Sequence, residues 1–361
     1  MAVIILAGGG TGGHVYPALA MGDVLRQRGH DVRYYGDPDR LEARVAPQRG
    51  YAFRPVRAAQ LPRAGLIGRL RFALALLRAT WSTRRMLRED GADAVLSVGG
   101  YIAAPTVLAA WTLRLGRVIH EANLLPGMAN KLCARVAQQV LVTFPGTVPL
   151  MPGSAPKHVV GVPVNPAILQ GDRAQAAARY GLDAARPTVL LVGGSLGAAR
   201  INELALALAH MQGRPYQVLH LCGPRYEADV RAALGEHTPA GYALVPYEDR
   251  MGDAYAMADL IVCRAGSATL AEIAATGKAS LLVPSPHVTD NHQEHNARGL
   301  AEEGAAEVLV EAGWQLPSAV GRVERLMGDA ERLRAMGEAA RGLAKLDAAE
   351  RAADLVESVI A

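Results

Sequence analysis

A single local pattern opens both halves of the 361-residue chain and restricts its fold more than any other feature. Val3-Ile-Ile-Leu6 is an unbroken apolar run that enters Ala7-Gly-Gly-Gly-Thr-Gly-Gly-His14 and then an apolar-periodic segment, Ala18 to Arg28. Thr188-Val-Leu-Leu-Val192 enters Gly193-Gly-Ser-Leu-Gly-Ala198 and then a second periodic segment, Ile201 to Met211. Short apolar runs bounded by turn residues read as strands buried on both faces, and the 3.6-residue period reads as helix. Further buried strands are expected at Val32–Tyr35, Ala94–Val98, Val118–His120, Val140–Val142, Gln217–Leu221, Leu260–Cys263 and Ser280–Val283, in alternation with helices. This alternation predicts an α/β chain with two doubly wound parallel-sheet domains facing each other across a cleft, strand C-terminal ends toward it.

The Pro/Gly-rich stretch Pro145 to Pro156, followed by Gly161-Val-Pro-Val-Asn-Pro166, reads as a linker. It divides the chain into residues 1–163 and 164–361, with Ala/Arg/Glu/Leu-rich terminal helices from 318 onward that are free to pack back on the first domain. The first part carries 20 Lys and Arg against 9 Asp and Glu, a net +11; the second carries 18 against 25, a net −7. A basic half joined to an acidic half suggests that one domain faces something anionic, the alternative being a solvated surface with uneven charge. Three scattered cysteines, Cys133, Cys222 and Cys263, exclude a disulfide scaffold or zinc ribbon and fit a reducing compartment. The N-terminus has no basic region before its apolar run and reads as a first strand, not a signal peptide. The longest apolar candidate for a membrane span, Ile102 to Leu113, is too short to cross.

A glycine-rich turn that opens a helix presents unpaired N–H groups and the positive end of the helix dipole, which suits a phosphate. Gly8, Gly10 and Gly13 also satisfy GxGxxG, and Asp37 follows the second strand where a dinucleotide fold would hold a ribose, so an NAD-dependent dehydrogenase is an alternative. Neither turn carries Gly-Lys-Ser/Thr, which excludes a P-loop NTPase. His14 falls on the first turn of its helix, where the dipole disfavours its charged form and leaves an imidazole able to accept a proton; the alternative is a histidine that braces a loop.

The segment Asp259 to Glu272 reads as strand, small-residue turn and helix start, with Ser267, Ala268 and Thr269 at the helix N-terminus. On local sequence Thr269 and Glu272 form a capping box. The functional alternative makes Glu272 the acceptor of two ribose hydroxyls beside a pyrophosphate held by the turn. Pro284 to Asn296 is dense in hydrogen-bonding side chains suited to sugar hydroxyls. His287, His292 and His295 lie on it without metal-ligand spacing, so no metal is expected.

Taken together, GGTGGHVYPALA at 9–20, SVGGYIAAP at 97–105, HEANLLPGMANK at 120–131, GGSLGAARIN at 193–202, CRAGSATLAEIAATGKASLLVP at 263–284 and DNHQEHNA at 290–297 resemble the MurG family. These are the peptidoglycan lipid-intermediate N-acetylglucosaminyltransferases of Rossmann-like GT-B architecture. The resemblance implies inverting transfer of GlcNAc from UDP-GlcNAc to the muramoyl 4-hydroxyl of lipid I, giving lipid II, with neither metal nor other cofactor. It places Thr11, Gly12, Gly13 and Asn123 at the sugar end of the donor, Ser195 at the pyrophosphate and Ser267, Ala268, Thr269, Leu270 and Ala271 along the nucleotide. It gives Glu272 the ribose, Gln293 a GlcNAc hydroxyl, and His14 the role of base. Three positions depart from the family pattern. Asn165 stands where an arginine near the diphosphate is common, with Arg264 or Arg200 as candidate substitutes. Glu248 replaces an apolar residue expected to support uracil through its backbone, and His292 replaces a glutamine.

An acceptor on a polyprenyl chain requires contact with a membrane surface. Leu66 to Arg88 sets Leu70, Phe72, Leu74, Leu76, Leu77 and Trp81 among six arginines, a composition able to lie at the headgroup level. Leu76, Leu77, Trp81, Arg78, Arg84 and Arg85 are the expected contacts with an anionic inner leaflet, each basic residue adding about 1 kcal/mol. The alternative is a helix that packs its apolar face into the domain. The resemblance therefore implies a peripheral enzyme on the cytoplasmic face of the bacterial inner membrane, with other cell-wall synthesis proteins as further partners. No nucleic-acid motif accompanies the basic half. A sugar-nucleotide module without turnover is a further alternative.

Overall fold

A computed structural model describes residues 1–10, 12–58, 66–235 and 238–360, apart from the side chains of Leu66, Ile67, Arg69 and Thr289. The chain divides into two compact units, Met1–Val164 with Lys345–Ala361, and Asn165–Ala344.

Unit 1 runs β1 (Val3–Ala7), α1 (Gly12–Gln27), β2 (Asp31–Gly36), α2 (Leu41–Gln48), β3 (Ala52–Pro55), α3 (Leu66–Glu89), β4 (Ala94–Ser97), α4 (Ala103–Leu113), β5 (Gly116–Glu121), α5 (Met128–Ala134), β6 (Gln139–Val142) and β7 (Lys157–Val159). The strands form one sheet in the order β3-β2-β1-β4-β5-β6-β7, every pair parallel. Side chains alternate across a strand, so covering both sheet faces demands continuous apolar runs. Ile4 and Leu6 point into one core with Val15, Leu19, Leu25, Leu96, Val118 and Leu141. Ile5 and Ala7 point into the other with Leu87, Val95, Val107, Ile119 and Val140.

Unit 2 runs α6 (Arg173–Tyr180), β8 (Thr188–Val192), α7 (Ala199–His210), β9 (Gln217–Leu221), α8 (Glu227–Leu234), β10 (Tyr242–Val245), α9 (Met251–Met257), β11 (Leu260–Cys263), α10 (Ser267–Thr276), β12 (Ala279–Leu282), α11 (His292–Glu302), β13 (Glu307–Val308), α12 (Leu316–Met327) and α13 (Ala330–Gly342). Its sheet, order β10-β9-β8-β11-β12-β13, is again wholly parallel. Val189, Leu191, Val218, Val262 and Leu281 share a core with Ile201 and Leu204 of α7 and Val323 of α12.

The last helix, α14 (Ala348–Glu357), belongs to unit 1. Ala352, Ala353 and Val356 enter the same core as Ile4 and Leu6. Arg28 reaches Asp354 at 2.7 Å and Glu357 at 2.8 Å, and His30 Nε2 lies 2.9 Å from Glu357. The expected pair of doubly wound parallel-sheet domains is therefore present.

Candidate active site

The strand order reverses between β1 and β4 in the first sheet and between β8 and β11 in the second. Open parallel sheets bind ligands beyond the strand C-terminal ends at such reversals. The loops at these places carry most of the motifs singled out above.

In unit 2 the turn after β8 is built from backbone. Gly197 N–H donates to Gly194 O at 2.9 Å, with Ser195 and Leu196 exposed at the tip. Gly194 and Gly197 have φ of 87° and 78°, values that L side chains rarely adopt. A Cβ on Gly193 would stand 2.2 Å from Ala198 N, and one on Gly197 2.0 Å from Cys222 O. The N-cap of α7, Ala198, offers no side-chain acceptor to the helix's first N–H groups. The N-cap of α10, Gly266, likewise offers none, and the first bond of that helix runs from Leu270 N–H to Gly266 O. The N–H groups of Ser267, Ala268 and Thr269 thus precede the first helical hydrogen bond, the geometry that suits a diphosphate. Ser267 and Leu270 point into the interior, while Ala268, Thr269 and Ala271 are half-buried.

The capping box between Thr269 and Glu272 does not form. α10 begins at Ser267, which places Thr269 inside the helix. The Glu272 carboxylate instead accepts the Tyr255 hydroxyl, Oη to Oε2 2.6 Å. Burial raises the pKa of Glu272, and that hydrogen bond opposes the rise. His292 and Gln293 are half-buried on the first turn of α11. Gln293 Oε1 accepts Ser285 N–H at 2.9 Å, so its NH2 remains the end able to donate to a ligand.

In unit 1 Gly12 and Gly13 open α1 and His14 stands on its first turn; Thr11 lies outside the described residues. The loop after β4 passes against them. A Cβ on Gly99, whose φ is 98°, would sit 3.4 Å from His14 Nε2 and 3.3 Å from Asn130 Nδ2. A Cβ on Gly100 would be 2.7 Å from Gly9 O, so the two glycine loops touch backbone to backbone. Asn123 stands on the next loop, organised by Glu121. That carboxylate accepts Asn123 N–H at 3.0 Å, Gly127 N–H at 3.0 Å and Asn130 Nδ2 at 2.8 Å.

Three further supports come from side chains to which the sequence patterns assign no role. Glu42, fully buried on α2, accepts Gly10 N–H on Oε2 at 3.2 Å and Asp37 N–H on Oε1 at 3.1 Å. Tyr101 donates to Asp37 Oδ2. Tyr255 is the third, and no local pattern ties it to Glu272, 17 residues on.

Residues 4–142 match the model of the glycosyltransferase family 28 N-terminal domain, and residues 188–356 that of the family 28 C-terminal domain. The UDP-N-acetylglucosamine–N-acetylmuramyl-(pentapeptide) pyrophosphoryl-undecaprenol N-acetylglucosamine transferase of Clavibacter sepedonicus is 40% identical over 100% of this chain and 97% of its own length. The enzyme of that name from Halothermothrix orenii is 35% identical, with 98% of each chain covered. The chain belongs to glycosyltransferase family 28. A crystal structure of Acinetobacter baumannii MurG superposes with a TM-score of 0.83 at 32% identity, covering 99% of this chain and 100% of that one.

Within this GT-B family two of the three departing positions, Asn165 and Glu248, acquire local explanations. Asn165 is exposed and caps the 3-10 turn Pro166–Gln170, its Oδ1 accepting Ala167 N–H at 3.0 Å. Arg264 and Arg200, the candidate substitutes for an arginine there, are already paired with Glu311 and Glu203. Glu248 turns its buried carboxylate to Arg179 at 3.0 Å, to the Tyr180 hydroxyl at 2.7 Å and to Arg250 N–H at 2.7 Å. A charged residue thus fills an expected apolar position because α6 supplies its partners. Family 28 membership leaves the dehydrogenase alternative without support, and Asp37 is committed on both oxygens, to Asp39 N–H and to Tyr101.

On α3 the apolar residues divide between two faces. Ala79 and Leu87 are buried, as is Thr83, and Leu76 is half-buried against the core that contains Leu87. Leu70, Leu74, Leu77 and Trp81, spaced by four, three and four residues, form a stripe 49–72% exposed. Arg71, Arg78, Arg85 and Arg88 are also exposed, while Arg84 donates to Thr112 on α4, against which α3 packs. Trp111 of α4, unnoticed in the sequence, is 52% exposed. Among the described residues no helix is long and apolar enough to cross a membrane.

Proposed function

We infer that this glycosyltransferase carries GlcNAc from UDP-GlcNAc to the 4-hydroxyl of the muramoyl sugar of undecaprenyl-pyrophosphoryl-MurNAc-pentapeptide, with inversion. His14 takes the proton of that hydroxyl, its oxygen bonds to the anomeric carbon, and the bond from that carbon to the diphosphate breaks, the electron pair leaving with UDP. The observation that carries the donor assignment is the pair of helix starts in unit 2 that no side chain caps, at a strand-order reversal, beside Glu272. Main-chain N–H groups of the 193–198 turn and of Ser267 to Thr269 stabilise the leaving diphosphate, as fixed dipoles do for developing charge. Glu272 accepts the ribose hydroxyls, and Gln293 meets the GlcNAc.

The exposed stripe on α3 and the arginines beside it support peripheral binding to an anionic leaflet, which is the inner membrane's cytoplasmic face in this reading. Other cell-wall synthesis proteins remain candidate partners at that surface. Transfer of radiolabelled GlcNAc from UDP-GlcNAc onto a lipid I analogue tests the reaction. Label is expected in the lipid product; hydrolysis of the donor without such a product, or donor binding without turnover, would overturn the assignment.

A further inference from the structure

The Glu272 carboxylate is held from behind. Tyr255, 1% exposed, lies within α9 and reaches Glu272 Oε2 at 2.6 Å. α9 is itself tightly fixed within unit 2. A Cβ on Gly252 would stand 2.6 Å from Ala167 O, and one on Gly171 1.9 Å from Gly252 O, so the start of α9 touches the 166–171 segment backbone to backbone. Asp253, buried on the same helix, meets Arg250 Nε at 3.0 Å and Arg179 Nη1 at 3.5 Å. A helix anchored on these sides presents the phenol with little freedom, as the support of a recognition group requires.

A tyrosine hydroxyl has one proton to give, and an ionised carboxylate is an acceptor only. Donation to Oε2 therefore favours the ionised Glu272 over the protonated acid. The titratable groups that act on Glu272 are Tyr255 from α9 and Cys263 from β11. Burial pushes both the phenol and the thiol up, so both stay neutral near pH 7 and the phenol acts as a hydrogen-bond donor. A vicinal diol offers two donors, and it needs an acceptor in a fixed orientation.

We propose that Tyr255 is a positioning residue for donor recognition, holding Glu272 in the orientation and charge state that accept the ribose hydroxyls. This rests on the ribose reading of Glu272 above. The test is Tyr255→Phe in the full chain, with KM and kcat measured for UDP-GlcNAc and its 2′-deoxyribose analogue across the neutral range. At saturating donor kcat stays within about 2-fold. KM for UDP-GlcNAc rises on the order of ten-fold and its acid limb moves to higher pH, because loss of the donor moves the carboxyl's protonation upward. KM for the deoxy donor changes less, so discrimination between the two narrows. Fluorotyrosine at position 255 keeps the hydroxyl while strengthening it as a donor, and moves the acid limb the other way. That second readout decides the matter should Tyr255→Phe fold poorly.

A parallel, pH-independent rise for both donors, or a fluorotyrosine enzyme with an unmoved limb, would overturn the proposal. Glu272→Ala separates the two layers. If it leaves the preference for the ribose donor intact, the ribose reading itself fails. If it abolishes that preference while Tyr255→Phe does not alter it, the role given to Tyr255 fails alone.

Discussion

Glu42→Gln is the perturbation with the most direct consequence in unit 1. The native carboxylate is fully buried and accepts two backbone N–H groups, Asp37 on Oε1 at 3.1 Å and Gly10 on Oε2 at 3.2 Å. An amide of the same shape has one acceptor and one donor, so one of those N–H groups must face an NH2. Leaving a buried donor unsatisfied costs about 1–3 kcal/mol. A unit of this size loses ~2–4 °C of melting temperature per kcal/mol, so a fall of ~4–8 °C is expected for a cost near the middle of that range. Transfer should weaken as well, because Gly10 belongs to the turn that leads into His14. UDP affinity should not change, since the groups proposed to hold the uridine diphosphate lie in unit 2. Calorimetry, UDP titration and the transfer assay together check this. Gly9→Ala gives an independent route to the same end, because its Cβ would stand 1.9 Å from Glu42 Oε1. In a Glu42→Ala background that obstruction is gone, so the two changes should be strongly non-additive. A Glu42→Gln enzyme with wild-type melting and turnover, or additive effects in the cycle, would refute the account of why glycine stands at position 9.

Replacing Leu77 and Trp81 with glutamate should abolish flotation with anionic vesicles while leaving the fold intact, since both side chains are exposed. Leu76→Ala should do the reverse, costing about 1–2 kcal/mol of stability as a half-buried truncation and keeping vesicle binding. His14→Ala should lower transfer by about 100- to 10,000-fold, the usual worth of a general base, with UDP affinity unchanged; loss of both would mark a structural histidine. Docking of α14 should weaken in acid. The His30 hydrogen bond, with Arg28 adding to it against the opposing effect of burial, holds Glu357 below its ordinary pKa. That stabilisation is complete above the unfolded value of about 4.3 and is lost as pH falls through the lower folded one. Hydrogen exchange of α14 should therefore quicken on that descent, and His30→Ala should flatten the dependence.

The strands legible in the sequence and those that were not differ in position in the sheet. The nine expected from apolar runs are β1, β2, β4, β5, β6, β8, β9, β11 and β12, which occupy the sheet interiors. The four not expected, β3, β7, β10 and β13, are the four sheet edges, although β10, Tyr242-Ala-Leu-Val245, is itself a short apolar run. An edge strand has one neighbour and is less covered. Ala52–Pro55 has two half-buried residues between exposed ends and Lys157–Val159 is half-buried throughout, so neither carries the unbroken apolar signature. The site divides in the same way. The backbone geometry of the 193–198 turn and of the start of α10 is written in contiguous glycine and small residues and was legible directly. Groups that act by bracing a distant segment were not. Glycine at position 9 looks like a ligand's requirement until Glu42, 33 residues later, is seen beneath it. Glu272 looks like a cap until the start of α10 at Ser267 removes it from the first turn and Tyr255 claims it. The residues proposed to recognise the donor are thus distributed between groups written in contiguous sequence and groups set by tertiary contact. Substitutions among the latter are expected to alter recognition without touching a ligand.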